Sequence, residues 1–309
     1  MVKTTVLLAV CSGERFLPAQ LSSLASQTRK DFTVLYQDDG SADGTANLLN
    51  DFSSLSMVSG KEPGCHFGAA GNFFSLLRQS DSDLYFLCDQ DDIWEPDKIE
   101  TLLKAYEETM KTLSPDTPVL IHSDASLIDE HDHPIFPSFF ALQGWDPSAT
   151  DLPRLLVQNN ATGCTMLLNR PLRDLVVSHG DPGKMFMHDW FIALTAAAFG
   201  KVIFVNQPLI RYRQHGDNAI GASTSSLLQR GIDALRNRDQ AKARIRLTYT
   251  HAQSFLDAYG DALPDDAKNI VLRYLDTASM SKLSRVRAVR RGGYLMQSPV
   301  TRIGQMLFG

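Results

Sequence analysis

The chain has 309 residues, 43% of them hydrophobic, and 30 Lys and Arg against 35 Asp and Glu give it a formal net charge of −5. These values are typical of a globular protein with one large or two modest domains, and they exclude a disordered or fibrous chain. No apolar run reaches the ~20 residues that a membrane-spanning helix needs. The short run Val6–Cys11 is soon followed by the charged Glu14 and Arg15, unlike a secretory signal. We therefore expect a cytoplasmic protein.

Short β-rich apolar runs alternate with helical patterns through the first 110 residues. This alternation predicts βαβ units around a parallel sheet that is covered on both faces. The predicted elements are strands at Val2–Val10, Phe32–Tyr36 and Leu84–Cys88, and helices at Phe16–Gln27, Gly44–Phe52, Asn72–Leu77 and Asp97–Lys111. Ligands of such sheets bind beyond the carboxyl ends of the strands. Polar clusters follow the three strands, beginning at Ser12, Asp38 and Asp89.

The alternation is less regular between residue 115 and residue 221, and strand signals are few after Gly221. For the middle part we predict strands at Val119–His122, Thr165–Leu168 and Val202–Val205, a helix at Trp190–Ala198, and an aromatic, proline-containing loop at Pro134–Gln143. For the last part we predict helices at Leu227–Leu235, Ala241–Ala258 and Ala267–Leu283. The sequence thus predicts an α/β domain at residues 1–221 and a helical region at residues 222–309.

Three carboxylates, Asp89, Asp91 and Asp92, directly follow one of the predicted strands. An Asp-x-Asp pair at the end of a buried strand suits a divalent metal, and ligands that are all oxygen favour Mg²⁺ or Mn²⁺ holding a diphosphate. The alternative is helix capping by Asp92 or Glu95 before Pro96. Capping leaves Asp89 and Asp91 unexplained, so we predict a metal site here.

A second acidic cluster, Asp38-Asp39-Gly40-Ser41, follows another predicted strand. Turn chemistry explains part of it, because Asp-Gly favours a tight turn and Ser41 or Asp43 can cap the next helix. A carboxylate at the end of a strand can also accept a hydrogen bond from a pyrimidine base or a ribose hydroxyl. Both interpretations stay open on these residues alone.

Five segments, taken in chain order, resemble the signature of family 2 glycosyltransferases with a GT-A fold. They are Val6 to Glu14, Asp38 to Ser41, Gly71-Asn72, Asp89 to Trp94, and His188-Asp189-Trp190. Residues 68–74 and 86–94 are particularly similar to the bacterial rhamnosyltransferase-like branch. The resemblance covers roughly residues 3–220 and implies a doubly wound, Rossmann-like mixed sheet.

The resemblance implies a nucleotide-sugar donor whose diphosphate is held through Mg²⁺ or Mn²⁺. Glu14 and Asp39 would contact the nucleoside, Asp89 would lie near the ribose or the sugar, and Asp91 would be the chief protein ligand of the metal. One departure concerns the base: the family commonly has Thr-Tyr-Asn where this chain has Val-Cys-Ser. Aromatic stacking on the base by residue Cys11 therefore cannot occur.

Family resemblance also makes Asp189 the general base and assigns Asn72, His188 and Trp190 to substrate binding. Inverting glycosyl transfer needs a carboxylate that takes the proton of the acceptor hydroxyl while its oxygen attacks the anomeric carbon. A metal would neutralise the charge that develops on the leaving diphosphate. The structural alternative, that Asp189 caps the helix beginning at Trp190, is compatible with catalysis.

Arg211 and Arg213 occupy alternate positions of a predicted strand, so both face the same way and could contact phosphate. His215 follows in a polar turn. A lone histidine on a loop is more often solvated or hydrogen-bonded than a ligand, whereas the resemblance implies a second contact to the metal or diphosphate. Both roles of His215 stay open.

Charge is distributed unevenly: residues 1–221 carry 16 basic and 28 acidic side chains, and residues 222–309 carry 14 basic and 7 acidic. No acidic residue follows Thr277, whereas six basic ones do, interleaved with apolar residues at helical spacing. This pattern suits an anionic membrane surface. It also suits a helix packed on the catalytic domain or on a partner subunit, as in a homodimer.

The sequence therefore predicts an inverting, metal-dependent hexosyltransferase. We expect L-rhamnose from dTDP-L-rhamnose as the transferred sugar, a cell-surface polysaccharide or lipid-linked oligosaccharide as the acceptor, and no nucleic-acid partner. One alternative is a nucleotidyltransferase, whose glycine-rich basic phosphate loop is poorly matched by Ser12-Gly13-Glu14-Arg15. Another alternative is a catalytically silent subunit that binds a sugar-nucleotide or a glycan.

Overall fold

The computed structural model describes residues 2–61, 66–184, 187–216 and 238–308, and within these ranges nine strands form one mixed sheet. The strands are β1 Thr4–Val10, β2 Thr33–Asp38, β3 Met57–Ser59, β4 Leu84–Asp89, β5 Ile93–Trp94, β6 Val119–Ile128, β7 Pro134–Phe136, β8 Met166–Asn169 and β9 Lys201–Arg213. The helices before residue 200 are α1 Leu17–Ala25, α2 Thr45–Asp51, α3 Gly68–Gln79, α4 Lys98–Met110, α5 Phe139–Gln143, α6 Leu152–Val157, α7 Arg170–His179 and α8 His188–Phe199. The later helices are α9 Arg238–Tyr259, α10 Asp265–Asp276, α11 Lys282–Gly292 and α12 Pro299–Phe308.

The sheet has the order β3-β2-β1-β4-β8-β6-β9-β5, and β7 pairs with β6. Strands β1 to β4 run parallel, while β8 is antiparallel to both of its neighbours and β6 is parallel to β9. The sheet is thus doubly wound and mixed, as expected. Because β1 lies between β2 and β4, the loops that follow these three strands meet at one edge, where ligands of such sheets bind.

Two apolar cores lie on opposite faces of the sheet, because neighbouring side chains of a strand point to opposite faces. In the fully buried β1, Leu7 packs into one core and Val6 and Leu8 into the other. The second core is completed by α1 and α4, through side chains such as Leu21 and Leu102. Both faces of the sheet are therefore covered.

The first core also contains side chains from the helices after residue 238. Phe255 of α9 and Tyr274 of α10 belong to the same buried cluster as Leu7 and Ile192. The indole of Trp190 stacks on the imidazole of His251 with the ring centroids 4.4 Å apart. The described part of the C-terminal region therefore packs directly against α8. None of the described helices is long and apolar enough to cross a membrane.

Several sequence-based boundaries differ from the structure. The predicted loop at Pro134–Gln143 is wrong, because it contains β7 and α5. Helix α5 forms because Ser138 accepts a hydrogen bond from the backbone N–H of Ala141, while a carboxylate from another strand, Asp124, accepts that of Phe140. The strands predicted at Val119–His122 and Val202–Val205 are longer in the structure, as β6 and β9.

Two further differences concern helices. The helix predicted at Ala267–Leu283 is interrupted by a 3-10 turn at Thr277–Ser279. Helix α7 was missed, although the chain carries a start signal for it: Asn169 caps the helix and a proline follows in the first turn. The helix predicted at Leu227–Leu235 lies outside the described residues.

Candidate active site

The loops after β1, β2 and β4 are joined by hydrogen bonds from side chains to backbone. The N–H of Ser12 donates to the hydroxyl of Ser41 over 2.8 Å, and the N–H of Gly13 donates to the hydroxyl of Thr45 over 2.8 Å. From the opposite side, the Gln90 amide pairs with the backbone of Cys11. The three polar clusters predicted from the sequence therefore form one interlocked rim at the edge of the sheet.

Glu14 and Asp39, which were assigned to the nucleoside, both bind backbone groups of this rim. Glu14 Oε2 accepts the N–H of Gly44 over 3.0 Å. The buried Asp39 carboxylate accepts the N–H groups of Phe67 and Gly68 over 2.6 and 2.7 Å. Both acids thus shape the loops around the predicted nucleoside position, and direct contact with a nucleoside stays a prediction.

Asn72, the other predicted substrate contact near β2, is buried in α3. Its amide Nδ2 donates to the carbonyl oxygen of Gln37 over 3.1 Å. Its Oδ1 has no hydrogen-bond partner among the residues that the structure describes. Asn72 therefore ties α3 to the end of β2, and its predicted role toward a substrate is untested.

Acidic side chains are concentrated at the end of β4. Burial, together with the neighbouring charges of Asp91 and Asp189, raises the pKa of Asp89 to about 7. Burial also raises the pKa of Asp92 well above its ordinary value, followed by the charges of Asp91 and Asp89. Ionising several buried carboxylates that lie close together costs free energy unless a cation binds among them.

Asp91 and His215 lie 124 residues apart in sequence, yet the structure brings them together. His215 Nε2 is 2.8 Å from Asp91 Oδ2, and the two side chains are 11% and 18% exposed. The ring of Phe16 packs against His215 with the centroids 5.0 Å apart. The two side chains contact each other directly, and a carboxylate and an imidazole at this distance fit a divalent cation held between them. Metal binding by this pair stays a prediction.

Ligand atoms of Asp89, Asp92 and Cys164 lie within 4.8 Å of one another. Burial raises the pKa of the Cys164 thiol well above its ordinary value, so the thiol is neutral. A neutral thiol is a poor ligand for Mg²⁺ or Mn²⁺, which prefer oxygen. Cys164 therefore fits as a packing residue, and the two carboxylates are the members of this cluster suited to such an ion.

Lys98, which sequence reasoning missed, is fully buried beside this cluster. Its Nζ donates to the carbonyl oxygen of Cys164 over 2.5 Å and lies 3.5 Å from the centroid of the Trp94 ring. Burial lowers the pKa of Lys98 to about 8, while nearby groups including Asp92 and Asp89 favour its charged form. Lys98 thus supplies an internal cation next to the acids.

Asp189, the predicted base, lies in the first turn of α8 and is 7% exposed. Burial raises its pKa to about 6, and hydrogen bonds from the backbone N–H groups of Trp190 and Gly163 moderate this rise. Gly163, which donates to this carboxylate, directly precedes Cys164, whose Sγ lies within 4.8 Å of carboxylate oxygens of Asp89 and Asp92. Asp189 therefore lies on the same edge of the sheet as the acids that follow β4, and its role as the base stays a prediction.

The two residues that flank Asp189 are also buried. His188 stacks on Phe73 with the ring centroids 4.5 Å apart, and burial lowers its pKa to about 4, so its imidazole is neutral at pH 7. Trp190 donates its indole N–H to the carbonyl oxygen of Leu155 over 2.6 Å. These contacts hold the start of α8 in place, and the predicted substrate contacts of both residues stay predictions.

Arg211 and Arg213 lie on β9, as predicted, but in different surroundings. Arg211 is partly exposed and forms an ion pair with Glu95 over 2.7 Å. Arg213 is buried: its backbone N–H donates to Asp92 Oδ1 over 3.0 Å, and its Nε donates to the carbonyl oxygen of Asp91 over 2.7 Å. Arg213 therefore fixes the acidic loop, and phosphate contact by either arginine is untested.

This arrangement, with an acid-rich edge of a doubly wound sheet facing a buried carboxylate on a helix, is that of a GT-A sugar-transfer enzyme. A family model described as glycosyl transferase family 2 matches residues 5–176. The chain belongs to glycosyl transferase family 2 and is a glycosyltransferase, as the sequence motifs indicated.

Two curated relatives are also named as sugar transferases. The chain is 25% identical to dTDP-rhamnosyl transferase RfbG of Shigella flexneri over 233 residues, which cover 71% of this chain and 75% of that protein. It is 23% identical to the uncharacterized glycosyltransferase alr2836 of Nostoc sp. over 280 residues, which cover 88% and 81% of the two chains. Both agree with the class of enzyme that was predicted.

Solved structures confirm the GT-A fold. S. aureus TarS 1–349 in complex with UDP superposes with a TM-score of 0.59 at 13% identity, covering 91% of this chain and 73% of that one. The chain spans only 44% of the longer TarS structure. The mannosyltransferase PcManGT from Pyrobaculum calidifontis, in complex with GDP-Man and Mn²⁺, gives a TM-score of 0.52 at 15% identity, with 95% and 84% of the two chains covered.

Proposed function

We propose that this enzyme transfers a sugar from a nucleoside-diphosphate donor to an acceptor hydroxyl, with inversion and with the help of a divalent metal. The observation that supports the proposal is the surroundings of Asp189. This buried carboxylate, with a pKa of about 6, accepts the N–H of Gly163, and the next residue, Cys164, has its Sγ within 4.8 Å of carboxylate oxygens of Asp89 and Asp92. One site thus combines a proton acceptor with groups suited to a metal and a diphosphate.

Asp91 and His215 would hold Mg²⁺ or Mn²⁺, and the ion would neutralise the charge that develops on the leaving diphosphate. Arg213 supports this role, because its Nε donates to the carbonyl oxygen of Asp91 and its backbone N–H to the carboxylate of Asp92. The solved mannosyltransferase of the same fold contains Mn²⁺.

Asp189 would take the proton of the acceptor hydroxyl. A pKa of about 6 leaves most of the carboxylate ionised at pH 7.5 while keeping it a stronger base than an ordinary aspartate. The backbone N–H groups of Trp190 and Gly163, which donate to the Asp189 carboxylate, orient it. Nucleophilic attack on the side opposite the diphosphate then gives the inverted product.

For the donor we propose dTDP-L-rhamnose, supported by the name of the Shigella relative, and for the acceptor a cell-surface polysaccharide or a lipid-linked glycan on the cytoplasmic side of the membrane. A panel of nucleotide-sugars, each tested with Mn²⁺ or EDTA, would identify the donor by thermal stabilisation and then by product formation. A donor that binds without any turnover would favour the silent binding subunit. Release of pyrophosphate from a nucleoside triphosphate and a sugar phosphate would favour the nucleotidyltransferase.

Two variants separate the proposed roles. Asp91→Ala should abolish metal-dependent binding of the donor, because the chief ligand is lost. Asp189→Asn should bind the donor as well as the wild type but lose turnover, because the amide cannot accept the proton. Full activity of Asp189→Asn would remove it as the base.

We also propose peripheral contact of helices α11 and α12 with an anionic membrane surface. Leu283, Arg287, Arg290 and Arg291 lie on one exposed stripe of α11 because of their helical spacing, and Leu283 is 74% exposed. On α12, Ile303 is 58% exposed. A basic stripe with exposed apolar side chains fits a surface of anionic lipid.

Vesicle binding tests this contact. Leu283→Ser with Arg287→Glu should reduce co-sedimentation with vesicles of phosphatidylglycerol and phosphatidylcholine. The matched control is Leu272→Ser on α10, an apolar residue that is 40% exposed but outside the stripe. Equal sedimentation of all the variants would rule out the proposed surface.

A further inference from the structure

Gln90, the middle residue of the Asp89-x-Asp91 motif, makes a two-point contact with the first loop of the site. The backbone N–H of Cys11 donates to Gln90 Oε1 over 2.7 Å, and Gln90 Nε2 donates to the carbonyl oxygen of Cys11 over 2.7 Å. The register of β1 and β4 ends with the pair Ala9 and Asp89. The Gln90 side chain therefore adds one further pair of hydrogen bonds beyond the end of the ladder.

The loop is shaped around this side chain. A Cβ atom at Gly13 would lie 2.6 Å from Gln90 Oε1 and 3.0 Å from its Cδ, so glycine lets the Gln90 amide approach the loop closely. Ser12 has a φ of +51°, an uncommon value for a residue other than glycine, and its N–H is held by the Ser41 hydroxyl. The conformation of the loop thus depends on partners outside it.

The same loop continues into the nucleoside side of the site. Gly13 donates its N–H to the hydroxyl of Thr45, and Glu14 binds the N–H of Gly44. On the other side, Gln90 is covalently flanked by Asp89 and Asp91. One side chain therefore connects the loop at the proposed nucleoside position to the loop that carries the proposed metal ligand.

We propose that Gln90 is a positioning residue that couples nucleotide binding to metal binding. When the metal orders the Asp91 loop, the paired hydrogen bonds of Gln90 order the backbone of Cys11, and the nucleotide then binds a loop that is already in place. By reciprocity, a bound nucleotide strengthens metal binding by the same factor. This inference rests on the proposed function, since it requires a nucleotide and a metal in the one site.

The test measures the affinity of dTDP and of UDP by calorimetry, with MnCl₂ and with EDTA, for the full chain. The coupling factor is the ratio of the two dissociation constants. In the variant Gln90→Met, which keeps the length of the side chain but makes neither hydrogen bond, this factor should fall by at least about fivefold. The control Gln253→Met, on the exposed face of α9, should keep the wild-type factor.

A second variant reaches the same contact from the other side. Gly13→Ala should displace the flexible end of the Gln90 side chain, because the new methyl group would lie 2.6 Å from Oε1. It should therefore reproduce the loss of coupling with Gln90 itself intact. If both variants lose the coupling, misfolding of one of them is not the explanation. Thermal melting of each variant in EDTA checks its folding directly.

The inference is overturned, with the proposed function intact, if Gln90→Met retains the wild-type coupling factor. This outcome includes the case in which its affinity for nucleotide falls by the same ratio with MnCl₂ and with EDTA, as a purely structural role of Gln90 predicts. If the wild-type protein binds neither nucleotide more tightly with MnCl₂, then the proposed metal dependence fails as well.

Discussion

A Cβ atom at Gly163 would lie 2.9 Å from Nε2 of His188, closer than side chains normally approach. Gly163 begins a short 3-10 turn, and its backbone N–H donates to the carboxylate of the neighbouring Asp189. The carbonyl oxygen of the next residue, Cys164, accepts a hydrogen bond from Nζ of Lys98. One tight turn therefore touches both the proposed base and the internal cation beside the acids.

Gly163→Ala should lower kcat by at least about tenfold while the donor still binds, because the methyl group must displace the imidazole of His188, which is buried against Phe73. Steady-state kinetics with donor binding measured separately would show this split. Gly304→Ala is the matched control, because no atom lies within 4 Å of the added methyl group. Unchanged kcat in Gly163→Ala would mean that the turn does not position the base.

Asp189→Asn should raise the free energy of unfolding at pH 8. The pKa of Asp189 is raised from 3.8 to about 6, so the folded state favours the protonated form and loses stability as the pH rises through this range. Complete ionisation costs up to about 3 kcal/mol, since each pKa unit corresponds to about 1.4 kcal/mol. Urea unfolding in EDTA should show a stability gain at pH 8 that disappears near pH 4. A variant less stable than the wild type at pH 8 would contradict this account.

The rate of the enzyme should depend on pH through the same group. Because a base must be ionised to accept a proton, kcat/KM should fall as the pH is lowered through about 6. The profile is measured at a fixed Mn²⁺ concentration, with binding of dTDP or UDP followed in parallel to separate catalysis from donor affinity. A kcat/KM that is constant from pH 8 to pH 5 would exclude an acid with this pKa as the base.

His122 should make the protein sensitive to acid. Its ring packs beside the stacked pair Phe140 and Phe204, with centroid distances of 6.0 and 5.1 Å. Its nitrogens have no hydrogen-bond partner among the described residues, and burial lowers its pKa to about 3. The unfolded chain takes up a proton near pH 6.5 whereas the folded protein does not, so stability falls as the pH drops below that value.

Replacement of this histidine by an apolar residue tests the effect. His122→Leu should lose less unfolding free energy between pH 7 and pH 4.5 than the wild type does, as measured by urea unfolding at each pH. The exposed His131 provides the control, since His131→Leu should leave the pH dependence nearly unchanged. Parallel pH curves for the wild type and His122→Leu would show that His122 is not the source of the sensitivity.

Local patterns were sufficient to predict strands β1, β2 and β4 and the acids that follow them, but not the short parallel strand β3. The apolar run Leu84–Cys88 followed by Asp89 requires only short-range information, and so does the polar turn that contains His215. Lys98 could not be recognised in this way, because a lysine in an amphipathic helix is normally on the surface. Its burial depends on Trp94 and on the carbonyl oxygen of Cys164, which is 66 residues away in sequence.

Prediction from local sequence patterns was limited in the same way for the antiparallel half of the sheet. Helix α5 depends on Asp124, which accepts the N–H of Phe140, and no pattern within residues 134–143 reveals that partner. Likewise, the close approach of Gly163 to His188 could not be read from the sequence, because His188 lies on another element. The sequence thus predicts residues that act through their own chemistry better than those that act through close packing.

The core that packs Ile192 of α8 together with Phe255 and Tyr274 also has a consequence for engineering. A fragment ending at residue 221 would leave the apolar side of α8 exposed to water and prone to aggregate. Chimeras that exchange acceptor preference between relatives should therefore keep residues 238–308 together with their own α8, and place the junction elsewhere. Helix α8 and the described C-terminal helices should therefore be transferred together.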